Sequence, residues 1–129
     1  MPRRTAGVRA PVAPTTVKGV RTAPGDMTPE MVADRACETG EGPLWHPDHE
    51  RLYWVDIPRG DLFAHDPATG DTERVLDAAV AIGGFTIEAS GALLLFGGRG
   101  TVCPWTPADG LGDPVVDAVA GEERSRFND

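Results

Sequence analysis

One carboxylate, Glu41, stands between two glycines in the segment "GEGP" (40–43), directly ahead of a run of apolar residues. Glycine gives the backbone on both sides unusual conformational freedom and no side chain to pack. A glutamate in such a place is either a solvated turn residue or one directed at a ligand. Carboxylate oxygens bind hard divalent cations such as Ca²⁺, Mg²⁺ and Mn²⁺. Glu41 is therefore the first candidate for a metal ligand.

The histidines and cysteines offer a weaker case for a metal site. His46 and His49 flank Pro-Asp in a predicted hairpin loop, with no third ligand nearby, so we interpret them and His65 as surface histidines rather than zinc ligands. Cys37 and Cys103 show neither a Cys-x-x-Cys spacing nor a disulfide framework. We expect two reduced thiols, as in a cytoplasmic protein.

The distribution of charge limits the classes of partner. Five of the twelve basic residues lie in residues 1–25, which contain no Asp or Glu, whereas residues 26–129 carry seven basic and twenty acidic side chains. Such an acidic body would repel phosphate backbones, so we expect no nucleic-acid partner. No apolar run approaches the length of a bilayer span, so we expect no membrane association.

The first 34 residues differ in composition from the rest of the chain. They are basic, contain several prolines and glycines, and lack the continuous apolar core of a secretory signal. We expect residues 1–34 to be a disordered leader. A later start at Met27 and an organelle-targeting segment are the alternatives.

From residue 35 onward, short apolar runs alternate with turn signals. The segment "DPATGD" (66–71) has good hairpin-loop chemistry, because Pro presets φ and Gly accepts positive φ. The runs on either side of such turns are typical of β strands rather than helices. They are "LYWVD" (52–56), "LFAH" (62–65), "ERVL" (73–76), "GGFTIEASGALLLFGG" (83–98), "TVCPW" (101–105) and "PVVDAV" (114–119).

The strands recur with a period of about forty residues. The segment "PDHERLYWVD" (47–56) aligns with "EASGALLLFG" (88–97), and "HDPATGD" (65–71) aligns with "WTPADGL" (105–111). Four short strands per forty residues is the period of a β-propeller blade. A Greek-key sandwich is the alternative. A third cycle would begin near residue 125, so the chain looks like the start of something longer.

Three segments together resemble a known family: "GEGPLW" (40–45), "RLYWVDIPRGDLFAHDPATGD" (51–71) and "RSRFND" (124–129). They are similar to the SMP-30/gluconolactonase/LRE family, which includes the regucalcins and bacterial sugar lactonases. The similarity runs from about Thr39 to Asp129. It implies a six-bladed β-propeller with one divalent metal at the mouth of the central channel, of which this chain is the N-terminal third.

The resemblance also implies roles for particular residues. Glu41 would be a metal ligand, and Arg126 and Asn128 would bind the sugar lactone. The family's other metal ligands, an asparagine and an aspartate, come from later blades beyond Asp129. That aspartate is the usual candidate for the general base, so no catalytic residue is assigned in this chain. Ca²⁺ is the expected metal, with Zn²⁺, Mg²⁺ and Mn²⁺ as alternatives.

We therefore expect residues 35–129 to form the first two blades, and the start of a third, of a truncated six-bladed β-propeller. The expected function is that of the N-terminal part of a metal-dependent lactonase that hydrolyses a cyclic ester, inactive as an isolated chain. The alternatives are a non-catalytic propeller fragment that binds a metal or a protein, and an unrelated β-sandwich. Unpaired strand edges predict self-association.

Overall fold

A computed structural model describes residue 25 and residues 27–128. Most of the predicted leader, and Asp129, lie outside the described residues. The stretch 27–39 contains neither helix nor strand and precedes the first β strand. The part of the chain that the structure describes holds no helix able to span a membrane.

Within residues 27–128, eight strands form two four-stranded antiparallel sheets, as the all-β prediction requires. Sheet 1 contains β1 (Gly40–His46), β2 (Arg51–Asp56), β3 (Asp61–His65) and β4 (Thr72–Asp77). Sheet 2 contains β5 (Ile82–Ile87), β6 (Leu93–Gly97), β7 (Val102–Thr106) and β8 (Gly110–Leu111). The strand predicted at 114–119 is wrong: this stretch is exposed and has no covered face, and Val116 forms only an isolated bridge with Val102. In each sheet the strands lie in sequence order, which is an up-and-down meander and not a Greek key.

The repeat inferred from the sequence is a repeat of structure. The third strands of the two sheets, β3 and β7, begin at Asp61 and Val102, 41 residues apart. The turns that follow β3 and β7 also correspond. Asp66 Oδ1 accepts a hydrogen bond from the Ala68 amide at 2.8 Å, as a turn-initiating aspartate does. In sheet 2 the hydroxyl of Thr106 accepts one from the Asp109 amide at 3.0 Å.

The hydrophobic core lies between the two sheets. Side chains of both sheets share this core, and Tyr53 packs edge-to-face on Trp105 with ring centroids 5.8 Å apart. Alternate residues of β2 and β6 point into it, as expected for strands with one covered face. The buried members are Tyr53, Val55, Ile57, Leu62, Ala64, Ile82, Leu93, Leu95 and Trp105.

The turn between β2 and β3 fixes the connection from sheet 1 to sheet 2. The Gly60 carbonyl accepts a hydrogen bond from the Ala78 amide at 2.9 Å, and the Ile57 carbonyl accepts one from the Ile82 amide at 3.2 Å. Gly60 has a φ of 68°, and a Cβ on it would overlap the carbonyl group of Val80. Only glycine allows this close approach of two backbones.

We predict that Gly60→Ala destabilises the fold far more than Gly70→Ala. Both glycines have positive φ, but a Cβ on Gly70 would meet open space. Gly70→Ala should therefore cost only the left-handed backbone term, about 1–2 kcal/mol. Gly60→Ala should cost about 1–3 kcal/mol more, because the Val80 backbone must move. Urea denaturation of the two variants measures the difference, and equal losses would contradict this account of the connection.

Candidate metal and substrate site

Glu41 lies at the start of β1, exposed to solvent and opposite Val55 of β2. The register of β1 and β2 shifts between Glu41 and Leu44, which marks a β-bulge. Gly42 sits within this bulge with a φ of 66°, which accounts for glycine at that position. The bulge thus interrupts regular pairing where the candidate ligand is presented.

The buried carboxylate of Asp56 holds the chain ahead of Glu41. Asp56, at the end of β2, is 1% exposed and accepts hydrogen bonds from the amides of Glu38 and Thr39 at 2.9 and 2.8 Å. The Thr39 carbonyl accepts a third bond, from the Ile57 amide at 3.0 Å. Glu41 follows two residues later. Asp56 therefore fixes the backbone two residues ahead of Glu41, whereas its place in the sequence indicates only the end of a strand.

Arg126 and Asn128 lie at the same end of the two sheets as Glu41. The Arg126 backbone forms a bridge with Gly98, and the backbone of Phe127 packs so closely on Gly83 that a Cβ there would overlap its carbonyl. Gly83 follows Ile82, whose amide bonds to the carbonyl of Ile57 beside Thr39. Neighbouring backbones thus connect the start of β1, the start of β5 and the 126–128 segment in that order.

Sheet 2 separates the two candidate segments. The Phe127 ring lies 5.4 Å from that of Phe96, which alternates with the core residue Leu95 and so faces away from sheet 1. Glu41 lines a groove of about 370 Å³ and Arg126 lines a different cavity of about 640 Å³. The structure therefore brings these residues to one end of the sheets but not into a common cavity.

The described residues supply a single candidate ligand at Glu41. Within residues 27–128, no three His, Cys, Asp or Glu side chains converge in a way that could hold a metal ion. Affinity for a divalent cation comes from several converging oxygen ligands, and Glu41 would supply one of them. Its groove is otherwise mainly apolar, and is lined by Met31, Val32, Ala33, Arg35, Cys37, Gly40, Pro43, Leu52 and Trp54.

Two of the three histidines are not the surface residues that the sequence indicated, and the third, His49, is half-buried. His46 is fully buried and His65 is 5% exposed, so that interpretation is wrong for both. Each ring has a hydrogen-bonding partner. Nε2 of His46 lies 2.8 Å from the carbonyl oxygen of Gly91, and Nδ1 of His65 lies 2.9 Å from Oγ1 of Thr72. The interpretation was wrong because a buried imidazole needs partners that local sequence does not show. Cys37 and Cys103 are free thiols, as predicted.

Comparison with known proteins gives one family. The profile of the SMP-30/Gluconolactonase/LRE-like region matches residues 39–129. Pentonolactonase XacC of Haloferax volcanii is 44% identical over 103 residues, which are 80% of this chain and 34% of that protein. The 6-deoxy-6-sulfogluconolactonase of Pseudomonas putida is 33% identical over 103 residues, 79% of this chain and 34% of that protein. The chain thus spans about a third of the length of these relatives.

We predict that Asp56→Asn lowers the stability of the β1 start, with Asp61→Asn as the matched control. Asp61 is also a buried aspartate, but its side-chain partner is Arg74 Nη1 at 3.4 Å and not a pair of backbone amides. An asparagine at position 56 keeps one acceptor oxygen and puts an NH₂ group against an amide donor. Leaving one buried donor unsatisfied costs about 1–3 kcal/mol.

Amide hydrogen exchange at Glu38 and Thr39 measures this effect locally. We expect faster exchange at both amides in Asp56→Asn and unchanged exchange there in Asp61→Asn. Unchanged protection of Glu38 and Thr39 in the Asp56 variant would show that another group holds this segment.

Proposed function

Because the chain belongs to the SMP-30/gluconolactonase/LRE family, we propose that it is the N-terminal part of a metal-dependent sugar lactonase. The relatives that support the proposal are a pentonolactonase and a sulfogluconolactonase, at 44% and 33% identity. The observation that carries it is structural. A bulge and the buried Asp56 carboxylate present Glu41 at the same end of the sheets as Arg126 and Asn128.

The proposed substrate is a small sugar lactone and the reaction is hydrolysis of its cyclic ester. Glu41 would be one of several oxygen ligands to a divalent cation, with Ca²⁺ expected first and Zn²⁺, Mg²⁺ and Mn²⁺ as alternatives. When bound, such a cation polarises a carbonyl group and lowers the pKa of a coordinated water. Arg126 and Asn128 would donate hydrogen bonds to the sugar hydroxyls. We assign no general base to this chain.

We further propose that each four-stranded sheet is one blade of a six-bladed propeller. Two sheets in a chain that spans 34% of each relative fit two of six equal units. The first strand of each sheet would then line the central channel. Under this proposal Glu41 of β1 stands at the channel mouth, and the 126–128 segment begins the third blade.

A chimaera tests the role of Glu41 in a complete lactonase. The matching third of the Haloferax volcanii pentonolactonase is replaced by this chain's residues, and hydrolysis of a pentonolactone is followed by acid release. We expect an active chimaera, and a loss of about 100-fold or more on Glu41→Gln, because a carboxylate ligand becomes a neutral amide. Equilibrium dialysis with Ca²⁺ should show the matching loss of metal affinity.

Glu73→Gln is the matched control for that substitution. Glu73 is an exposed glutamate on β4 of the same sheet, so its substitution removes the same charge outside the proposed site. Its activity should stay within about twofold of the unsubstituted chimaera, as is usual for surface substitutions. A Glu41→Gln chimaera that keeps its activity and its Ca²⁺ affinity would refute the assignment of Glu41.

The isolated 129-residue chain should show no appreciable lactonase activity. One carboxylate cannot hold a divalent cation tightly, and the general base of the family lies outside this chain. Acid release from a pentonolactone by the purified chain, with and without Ca²⁺, checks this expectation. A turnover number close to that of the complete relative would contradict it. Ca²⁺ binding without turnover by the chimaera would favour the non-catalytic, metal-binding alternative.

A further inference from the structure

Another cavity lies between the two sheets, at the opposite end from Glu41. Glu41 stands at the start of β1, whereas this cavity lies beside the start of β2, the hairpin at 66–71 and the end of β7. Its volume is about 640 Å³, within the range of small-molecule sites, about 300–1,000 Å³. This inter-sheet cavity is bounded by Arg51, Asp66, Asp71 and Val75 from sheet 1 and its hairpin, and by Trp105 and Pro107 from sheet 2.

Trp105 presents an indole N–H group to the inter-sheet cavity. The residue is only 3% exposed, and its N–H donates to no oxygen of residues 27–128. Within the same residues, every fully buried side-chain nitrogen and oxygen has a hydrogen-bonding partner. Since the indole nitrogen has none, it must meet open space, and the inter-sheet cavity is the open space that Trp105 lines. A buried tryptophan usually finds a partner for this donor, so an acceptor on a ligand is the partner that it lacks.

Arg51 is held in place at the wall of the cavity. Its Nη1 donates to the carbonyl oxygens of His49 at 3.2 Å and Glu50 at 3.0 Å, and its Nη2 lies 3.0 Å from Oδ2 of Asp66. These three contacts use three of the five guanidinium N–H groups, so two remain for a ligand. A side chain that is already fixed loses little conformational entropy when it binds.

Carboxylates stand beside these donors. Oδ1 of Asp66 accepts a hydrogen bond from the Ala68 amide at 2.8 Å and Oδ2 contacts Arg51, so each oxygen keeps the capacity for one further bond. Asp71, at the other end of the same hairpin, adds a second, exposed carboxylate to the wall. The cavity therefore combines donors, on Arg51 and Trp105, with acceptors, on Asp66 and Asp71.

This combination selects one class of ligand. A hydroxyl group both donates and accepts, so it matches a wall that offers both kinds of partner. The two carboxylates disfavour a ligand that carries a carboxylate or phosphate group. An organic cation would meet the positive N–H edge of Trp105, because the faces of this ring are buried. Nor do three His, Cys, Asp or Glu side chains of residues 27–128 converge as a metal ion requires.

We propose that the inter-sheet cavity is a binding site for a neutral sugar or another small polyol. Arg51 and Trp105 donate to hydroxyl oxygens of the ligand, and Asp66 and Asp71 accept from its hydroxyl groups. The apolar side chains of Val75 and Pro107 face its C–H groups. The site lies at the other end of the sheets from Glu41, so the inference does not depend on the proposed lactonase function.

Titration of the 129-residue chain with D-xylose, followed by the ¹H–¹⁵N resonances of the indole N–H groups, tests the site. We expect the Trp105 resonance to shift and to saturate in the millimolar range, while the Trp45 and Trp54 resonances stay in place. Trp54 is the internal control, because it lines the groove of Glu41 and would report binding there. A shift of Trp54 alone, an equal shift of all three resonances, or no saturable shift of Trp105 would overturn the proposal.

Asp66→Asn tests the polar wall without removing the turn. An asparagine keeps an oxygen for the Ala68 amide but loses the charge that holds Arg51, so the Kd for D-xylose should rise about tenfold or more. Asp48→Asn is the matched control, because it removes an exposed carboxylate from the β1–β2 turn at the same end of the sheets. Its Kd should stay within about twofold of the unsubstituted chain. Equal Kd values in the two variants, or tighter binding of choline chloride or sodium gluconate than of D-xylose, would contradict the assignment.

Discussion

The corner of the fold that contains Asp56 holds both the candidate site and the junction of the sheets. A buried carboxylate is stable only where hydrogen bonds replace its water, and here the amides of Glu38 and Thr39 do so. The next residue, Ile57, donates to Thr39 and accepts from Ile82. Hydrogen bonds at Asp56 and Ile57 therefore join three segments: residues 38–39, the end of β2 and the start of β5. Glu41 and the start of β5 take their positions from that corner.

Local sequence sufficed for most of the strands, the turns and the repeat, because each depends on neighbours a few residues apart. It failed at 114–119, where an apolar run predicted a strand but no partner strand covers it. The hairpin at 66–71 forms as its Asp, Pro and Gly dictate, and the two sheets follow the forty-residue period. The resemblance identified the family, which the profile match confirms for residues 39–129. The roles of Glu41, Arg126 and Asn128 remain predictions, because their proposed partners lie outside this chain.

Two features of the structure could not be read from local sequence. The amides that Asp56 binds lie 17 and 18 residues upstream, and the carbonyl that His46 binds lies 45 residues downstream. The only local signal for the Asp56 bonds was the position of this carboxylate at the C-terminal end of an apolar strand. For His46 the pattern of a polar hairpin loop indicated the surface, and only the packing of sheet 2 against sheet 1 buries it.

The two sheets differ at the position of the candidate ligand. Both first strands carry a bulge near their start, between Glu41 and Leu44 in β1 and between Ile82 and Gly84 in β5. At the 41-residue spacing of the repeat, Glu41 corresponds to Ile82, which is 2% exposed and belongs to the core. The same local geometry thus presents a polar oxygen in one sheet and an apolar anchor in the other.

The consecutive order of the strands has a consequence for how the chain acquires its structure. Within each sheet, every strand pairs with the strand next to it in sequence, so each pairing closes a short loop and loses little chain entropy. Topologies with such local contacts fold faster than those with distant pairings. All four strands of sheet 1 have emerged from the ribosome once residue 77 has emerged, which is before β5 is complete. Sheet 1 can therefore assemble during translation and serve as the surface on which sheet 2 forms.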